Sequence, residues 1–559
     1  MPSGSQALLD RLVSWKSRFG SPENGDLPRL LARIARARFR EPADLVRLHE
    51  ALLFLRAYPR TPAVARRADS ILSSMDRRVD ALRASGRDLS LFEAPEVSGI
   101  AGTSFSAVFT YEVARRLAAR HPNLEIDWEA YDQPDRVGPV ARRFIPLVGE
   151  DWPVEAHTPF RRWLDAARPR GPNGLRFLLE RIAALPLDQR DRADLYDSLQ
   201  VPLYCNFCGT ARTRSQLALE GRSRGPLYCH KLALLQRRDV SLTDALLAPP
   251  MPMRHVPARE GGRVLDLILD TSAMRYRELY GFSHPDVDRV FHADAGRGLD
   301  IYFFGVPPVW RLPVRAYHGG MFFKNGVPAG YVEVLSVFDR AEVGFNLYYT
   351  FREGESAWIY AQLLRLFHQT LGVNTFSVDP YQIGLENEEA IDSGAFWFYR
   401  KLGFRPADPR IARRTEAEES RLRKTPGARS SAPTLRKLAA GYVLFEGPGA
   451  SPGVWDRFHI RNLGLAVARA TARSHAGDPA RMAAWAMERV AGALGEAPDA
   501  PLALVASLIP GLSGWPASDK TALLAILKAK GSRDESRYLR LMSRHARFRA
   551  ACLRLGSGE

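Results

Sequence analysis

One stretch of the chain, residues 321–406, constrains the fold more than any other. Segments rich in Val and aromatic residues come first, followed by a long amphipathic segment, a short apolar strand and a second helix. An Asn-Gly pair separates the first two apolar segments, and this pair is a strong signal for a two-residue hairpin. The predicted strands are 321–324, 329–338, 343–349 and 375–378, and the predicted helices are 356–371 and 394–402. This order predicts an α/β (α+β) fold in which a mixed sheet has helices on both faces.

The loop after the third of these strands has a composition suited to anion binding. It reads LYYTFREGESA over residues 347–357 and leads directly into the long predicted helix. Free backbone N–H groups and the dipole at a helix N-terminus both favour an anion such as a pyrophosphate. The sequence therefore predicts a phosphate-binding cleft at the start of this helix.

A second motif closes the stretch, where residues 392–404 read DSGAFWFYRKLGF. Together the two motifs resemble those of the GNAT superfamily of N-acetyltransferases. The positions that fit the family patterns are Leu347, Phe351, Arg352, Ala357, Ala395, Tyr399, Lys401, Gly403 and Phe404. The resemblance covers residues 320–406 and, more loosely, 255–446. It implies a GNAT-like sheet and the transfer of an acyl group, expected to be acetyl, from a coenzyme A thioester to an amine.

The resemblance also implies which residues form the acetyl-CoA site. These are Leu347, Tyr349, Arg352, Gly354, Glu355, Ser356, Ala357, Asp392 and Ala395. Tyr399 would be the catalytic acid that protonates the leaving thiolate, and Glu342 would be the base. The alternatives for these two are a core Tyr and an ordinary strand-end charge. Side-chain alternation along the strand puts Glu342 and Phe345 on opposite faces of the sheet.

Two positions depart from the family pattern. Glu355 stands where the family has the first Gly of its phosphate loop, and Asp392 replaces an Asn. Gly lets backbone approach a phosphate closely, whereas a carboxylate repels the phosphate unless it turns away. Gly354, one residue earlier, could restore the loop by a shift in register. These departures leave open a second hypothesis, a catalytically inactive GNAT-like scaffold or ligand sensor.

An acidic segment, residues 379–389, follows the last predicted strand of the stretch. In a domain of this type it would border the pocket for the acyl acceptor. Its charge favours a cationic acceptor, such as an amine on a small molecule or on a protein. The alternative is a solvated loop.

Cysteine and histidine residues form a separate cluster in the sequence. Cys205 and Cys208 make a CxxC pair, which is followed after twenty residues by Cys229 and His230. Thiolate and imidazole are ligands that zinc prefers, so the cluster suggests a zinc site. The alternative is a group of small buried residues that bind no metal.

The composition is strongly basic. The chain has 79 Lys and Arg against 62 Asp and Glu, a net charge of +17, and Arg supplies most of the cations. High Arg, Ala, Pro and Gly together are typical of a GC-rich bacterial genome, although excess cations also attract nucleic acid. A nucleic-acid-associated protein is therefore a third hypothesis. We expect a cytoplasmic protein, because no secretory signal or membrane-spanning apolar run is visible and Cys is scarce.

The predicted organisation has four parts. Residues 1–95 are helical, 96–250 are mixed α/β and contain the Cys cluster, 255–446 form the GNAT-like domain, and 455–559 are helical again. Residues 410–437 are charged and poor in large apolar side chains, so they are predicted as a flexible basic loop. The leading hypothesis is an acyl-CoA-dependent N-acyltransferase that acts on an unknown amine.

Overall fold

The structure, a computed structural model, describes residues 4–20, 26–275, 279–496, 500–532 and 534–558. Its fold is mixed α/β, as predicted, with a large mixed sheet and helices along the whole chain.

The N-terminal part is a bundle of helices that bury Leu, Ile and Val against one another. The helices are α1 Gly4–Trp15, α2 Leu27–Arg36, α3 Pro42–Ala57, α4 Pro62–Leu72 and α5 Met75–Ala84. The start of α4 shows what sets a boundary. Thr61 accepts a hydrogen bond from the Val64 N–H (3.3 Å), and Pro62 takes the first helical position, where its missing N–H costs nothing.

A small sheet and its helices follow. Within the described residues the sheet has three strands, β1 Ser104–Val108, β2 Glu125–Ile126 and β3 Pro202–Asn206. The central strand, β3, runs antiparallel to both neighbours. The surrounding helices are α6 Tyr111–Arg120, α7 Val137–Ala141, α8 Val148–Asp151, α9 Phe160–Ala167, α10 Gly174–Ala183 and α11 Gln189–Asp197. The next helix, α12 Leu242–Leu247, packs instead in the hydrophobic cluster of the large sheet.

The large sheet carries the rest of the fold. Its strands are β4 Met253–His255, β5 Val290–Asp294, β6 Leu299–Phe304, β7 Ala316–Lys324, β8 Val327–Val337, β9 Arg340–Leu347, β10 Thr375–Val378, β11 Arg405–Pro406 and β12 Val443–Glu446. Within the described residues their order is β11-β12-β10-β9-β8-β7-β6-β5-β4. Neighbouring strands pair antiparallel except β9 and β10, which run parallel. This one parallel pair lies inside the stretch that resembles the GNAT motifs.

The hairpin between β7 and β8 agrees with the Asn-Gly signal. Lys324 pairs with Val327 across a two-residue turn, in which Asn325 and Gly326 have φ angles of 49° and 82°. Two positive φ angles are the hallmark of the type I′ turn that Asn-Gly favours.

The central strands β6 and β7 are buried along their whole length, so both faces of the sheet are covered there. The helices within this part of the chain are α13 Ala258–Ala273, α14 Tyr280–Ser283, α15 Ser356–Leu371, α16 Pro380–Ile383, α17 Glu388–Ser393, α18 Ala395–Arg400, α19 Pro409–Lys424 and α20 Ala432–Leu438. The long helix α15 has the predicted bounds. It ends at Gly372, whose φ of 72° is the left-handed conformation that a helix C-cap requires.

The prediction of a flexible loop at residues 410–437 is wrong, because α19 and α20 occupy most of it. Asp408 caps α19 by accepting a hydrogen bond from the Arg410 N–H (2.7 Å). Glu418 accepts hydrogen bonds from Arg421 (2.7 Å) and from the Ser430 hydroxyl (2.6 Å), which ties α19 to the segment before α20. Capping and side-chain bonds therefore hold a segment that has few large apolar residues.

The C-terminal part is helical, as predicted. Its helices are α21 Ile460–Ser474, α22 Pro479–Leu494, α23 Ala500–Ser507, α24 Ala517–Gly531, α25 Glu535–Ser543 and α26 Ala546–Ser557. One hydrophobic cluster joins the N-terminal helices, the large sheet and the C-terminal helices, and a second lies around the small sheet. The predicted GNAT-like domain therefore shares its core with the regions on either side of it.

Candidate functional site

The parallel strands β9 and β10 are hydrogen-bonded only over the first part of β9 and then diverge. Their pairing runs from Arg340 opposite Thr375 to Glu342 opposite Ser377. Beyond that point, among the described strands, β9 has no partner on this side for residues 343–347. Backbone polar groups need partners, so this edge can bond to an extended ligand laid beside it.

A cleft of about 320 Å³ opens next to this unpaired edge. Its walls include Phe345, Asn346 and Leu347 of β9, Arg352 and Ser356 from the following loop and helix, and Ala395, Phe398 and Tyr399 of α18. The acidic segment predicted to border an acceptor pocket supplies another wall, through Tyr381, Gln382, Asn387 and Glu389. Sequence reasoning did not single out Asn346 or Tyr331, which also lines the cleft, because both lie outside the two motifs; Phe398 lies within the second motif but not at one of its matching positions.

The loop between β9 and α15 delivers the start of α15 to the cleft. The Arg352 N–H donates to the Tyr349 carbonyl (3.2 Å), and the Gly354 N–H donates to the Phe351 carbonyl (2.8 Å). The helix then begins at Ser356, which lines the cleft. The first-turn N–H groups of residues 356–358 have no intrahelical acceptor, and the Glu355 side chain does not cap them. They are donors available to an anion.

The Glu355 side chain turns away from the cleft into the protein interior, where it is completely buried. Its carboxylate forms ion pairs with Lys324 (2.9 Å) and Arg297, and it also accepts the Leu235 N–H (3.3 Å). Burial alone would raise the pKa of Glu355, but the two cations outweigh it and hold that pKa below its ordinary value. The carboxylate is therefore charged, neutralised and removed from any ligand in the cleft.

The N-terminal bundle helps to fix this arrangement. The Glu355 N–H donates to the Tyr58 hydroxyl (3.4 Å), just after α3. A Cβ on Gly354 would lie 2.5 Å from that hydroxyl oxygen, so Gly354 is required by packing against Tyr58. Lys324 is enclosed by the rings of Tyr58 and Trp358, whose centroids are 4.9 Å and 5.4 Å from its Nζ. Burial lowers the pKa of Lys324 to about 8, against the opposing effect of Glu355.

Tyr399 forms part of the cleft wall but is itself 3 % exposed. Its ring packs against Tyr360 and Phe404, with centroids 5.5 Å and 5.6 Å away. Burial raises its pKa, so its hydroxyl stays protonated at neutral pH. Phe396 is buried, as expected for the inward face of α18.

Glu342 does not reach the cleft. It lies on the opposite face of β9 from Phe345, which packs on Tyr360 of α15 with ring centroids 5.1 Å apart. Glu342 instead lines a small cavity with Arg340 and Arg315, and its carboxylate is 3.5 Å from Arg315 Nη1. Burial raises the pKa of Glu342, partly offset by Arg315. The predicted base and the predicted acid are therefore in different cavities.

The other predicted ligand residues divide into two groups. Leu347, Arg352, Ser356 and Ala395 line the cleft. The remaining five predicted binding residues, Tyr349, Gly354, Glu355, Ala357 and Asp392, are not among its walls. Tyr349 is 69 % exposed, and the Arg352 guanidinium lies over its ring, 5.4 Å from the centroid. Arg352 also forms an ion pair with Glu389 across the mouth of the cleft, which an anionic ligand would have to displace.

The predicted zinc ligands are not brought together. Cys205 is buried in β3, whereas the ring of His230 packs against Tyr58 and Tyr228 at 5.2 Å and 4.8 Å. Burial raises the pKa of Cys205 to about 12, so this thiol remains protonated. The spacing in sequence gave no information on these separate environments.

Cys208 has a different set of neighbours. Within the described residues, its sulfur and one oxygen each of Asp76 and Asp80 form the group whose ligand atoms lie within 4.8 Å of one another. Cys208 and Asp80 are exposed, and Asp80 is already paired with Arg83, so this is a weak ligand set. The structure gives no support to a site made by Cys205, Cys208, Cys229 and His230.

We compared the chain with family models, with curated proteins and with solved structures, and none of the three comparisons found a match. No helix in the described part of the chain combines the length and the apolar character needed to cross a bilayer.

Proposed function

We propose that the chain is an acyl-CoA-dependent N-acyltransferase that transfers an acyl group, expected to be acetyl, to an amine. The observation that carries this proposal is the cleft where β9 and β10 part, with the N-terminus of α15 at its edge. Both segments that resemble the GNAT motifs, residues 347–357 and 392–404, contribute residues to the walls of this cleft.

The cleft offers partners to three parts of coenzyme A. The first-turn N–H groups of α15 and the Arg352 guanidinium suit a pyrophosphate. The unpaired edge of β9, residues 343–347, suits the amide groups of the extended thiol arm, which bond as an added strand would. The apolar walls made by Phe345 and Leu347 suit the methylene groups between those amides.

Tyr399 is the residue proposed to donate a proton to the leaving thiolate. Its raised pKa keeps the proton in place before the reaction, as a general acid requires. The amine must lose a proton as the tetrahedral intermediate collapses. Glu342 lies in a separate cavity on the opposite face of β9, so solvent is the proposed acceptor of that proton.

Isothermal titration calorimetry of the full chain with acetyl-CoA and with CoA tests the proposal. We expect saturable binding at micromolar to low millimolar concentrations. Arg352→Gln should weaken it by about tenfold, because a charge-assisted contact to phosphate is lost. Arg481→Gln, a matched change on the exposed surface of α22, should leave it unchanged. No binding of either ligand at millimolar concentration would overturn the proposal.

A ligand sensor without transferase activity is the second candidate. It is favoured by one observation, the separation of Glu342 from the cavity that contains Tyr399. Binding of acetyl-CoA without release of CoA, over a panel of small-molecule and protein amines, would favour the sensor. The presence of Glu355 where the family has a Gly does not favour the sensor, because the carboxylate turns away from the cleft.

A further inference from the structure

A second and larger cavity lies on the other side of β9. It is a groove of about 680 Å³ between β12, the start of α16, the start of α19 and the segment that leads into α21. Arg340 and Tyr442 form its floor, and Trp455, Phe458, His459 and Arg461 form its wall. We call it the Arg340 groove. It shares no lining residue with the cleft described above.

Arg340 is a buried cation that forms no ion pair with any described residue. It is 5 % exposed, and its Nε and Nη1 donate to the Ser377 hydroxyl (3.1 Å) and to the Phe458 carbonyl (3.2 Å). The nearby carboxylate that acts on it electrostatically, Glu342, has its ion pair with Arg315 instead. Within the described residues, Arg340 has no ion pair of its own. A guanidinium does not lose its proton, so the charge remains.

Aromatic rings compensate for only part of this charge. The Arg340 guanidinium lies 5.4 Å from the ring centroid of Tyr442 and 5.8 Å from those of Trp455 and Phe458. Cation–π contacts of this kind stabilise a cation less than a paired carboxylate does in a buried site. The arrangement leaves room for an anion against Arg340.

Further donors converge on the same groove. Trp455 is 1 % exposed, and within the described residues its indole N–H has no hydrogen-bond partner. The helix α21 begins at Ile460, between the groove residues His459 and Arg461, and the side chain at its N-cap position, His459, forms no capping bond. Arg461 adds an exposed cation at the same helix end. Helix N-termini, indole N–H groups and guanidinium groups all act as donors to anions.

Two carboxylates line the groove, and each is in an ion pair with an arginine. Asp408 is paired with Arg410 (2.9 Å), and Asp456 is paired with Arg405 (2.8 Å), which is shared with Glu446. Four arginines line the groove, Arg340, Arg410, Arg457 and Arg461, so the formal charge of its lining is +2.

We propose that the Arg340 groove binds a small molecule through a carboxylate or phosphate group, with the oxyanion held by Arg340, the Trp455 indole N–H and the N-terminus of α21. The binding needs no acyl transfer, so the proposal stands apart from the proposed activity. The volume of the groove is that of an ordinary small-molecule site, and its aromatic wall suits an apolar or planar remainder of the ligand.

Calorimetry of the full chain with sodium phosphate and with sodium benzoate, at constant ionic strength in sodium chloride, tests the proposal. We expect one equivalent of at least one of the two anions to bind with a dissociation constant in the millimolar range or below. Binding of phosphate alone would point to a phosphate ester as the ligand, and binding of benzoate alone would point to a carboxylate. Saturable binding of neither anion would overturn the proposal.

Variants locate the binding within the molecule. Trp455→Phe keeps an aromatic ring, although a smaller one, and removes the donor, and Arg461→Gln removes an exposed cation without altering the core. Each variant should bind the anion about tenfold more weakly. Arg469→Gln, the same change two turns further along α21, is the matched control and should have no effect. Unchanged affinity in both groove variants would show that the anion binds elsewhere and would overturn the proposal.

Discussion

Replacing Glu355 by Gln should destabilise the protein without strengthening coenzyme A binding. The substitution keeps the shape of the side chain and removes the charge that neutralises Lys324, which is completely buried, and Arg297. Removing one partner of a buried ion pair costs about 3–5 kcal/mol. We expect the lower end, about 3 kcal/mol, because Lys324 can lose its proton more readily than an ordinary lysine.

The expected change in melting temperature follows from the size of the chain. At roughly 2.1 cal/mol/K per residue, a cooperative unit of 559 residues has an unfolding entropy of about 1.2 kcal/mol/K. A loss of about 3 kcal/mol then lowers Tm by about 2–3 °C. Differential scanning calorimetry at pH 7 measures this directly. The matched control is Glu353→Gln, which removes an exposed carboxylate two residues away and should change Tm by less than about 1 °C.

A double variant separates the ion pair from other effects. Lys324→Met alone should also destabilise, because it removes one of the two cations that neutralise the buried carboxylate. The combination with Glu355→Gln removes both charges, so its loss of Tm should be clearly smaller than the sum of the two single losses. Additive losses would refute the buried pair. A coenzyme A affinity that rises tenfold in Glu355→Gln would refute the orientation, because it would mean that the carboxylate repels the ligand.

Three further predictions concern the same region. Tyr399→Phe should lower kcat by roughly tenfold to a thousandfold in an acyl-transfer assay and leave CoA affinity within about twofold, because an acid acts in the transition state. Equal turnover would show that Tyr399 serves only in packing. Burial tends to raise the pKa of Glu50, but Arg214 chiefly holds that pKa down at about 2. The pair should therefore contribute up to about 3 kcal/mol to the free energy of unfolding, present above pH 4.5 and lost as the pH falls towards 2. In thermal melts between pH 4.5 and pH 2, Glu50→Gln should reduce the fall of Tm with pH, and an unchanged fall would contradict this. Gly354→Ala should lower Tm because its Cβ meets the Tyr58 hydroxyl, and Tyr58→Phe in the same chain should recover part of the loss; no loss in the single variant would contradict the packing.

Local signals predicted the local elements well. The Asn-Gly pair sets the turn between β7 and β8, and the helical periodicity ending at Gly372 gives the bounds of α15. Alternation along β9 correctly separates Glu342 from Phe345. Each of these features is decided by residues close together in the sequence.

The features that sequence reasoning missed depend on contacts between distant residues. The orientation of Glu355 is set by Lys324 at the end of β7, by Arg297 in the turn between β5 and β6 and by Tyr58 just after α3, and no local sequence pattern predicts these contacts. The helices in residues 410–437 are held by caps and side-chain bonds that hydropathy does not register. The charge left unpaired on Arg340 likewise becomes apparent only when its neighbours are known.

A crystal structure of the full chain with CoA tests the central claim most directly. We predict that the pyrophosphate lies within about 3 Å of first-turn N–H groups of α15, with the thiol arm along residues 343–347 of β9. The sulfur atom should lie closer to Tyr399 than the adenine ring does. CoA bound outside the cleft, or a crystal grown at saturating CoA whose cleft holds only solvent, would contradict the account.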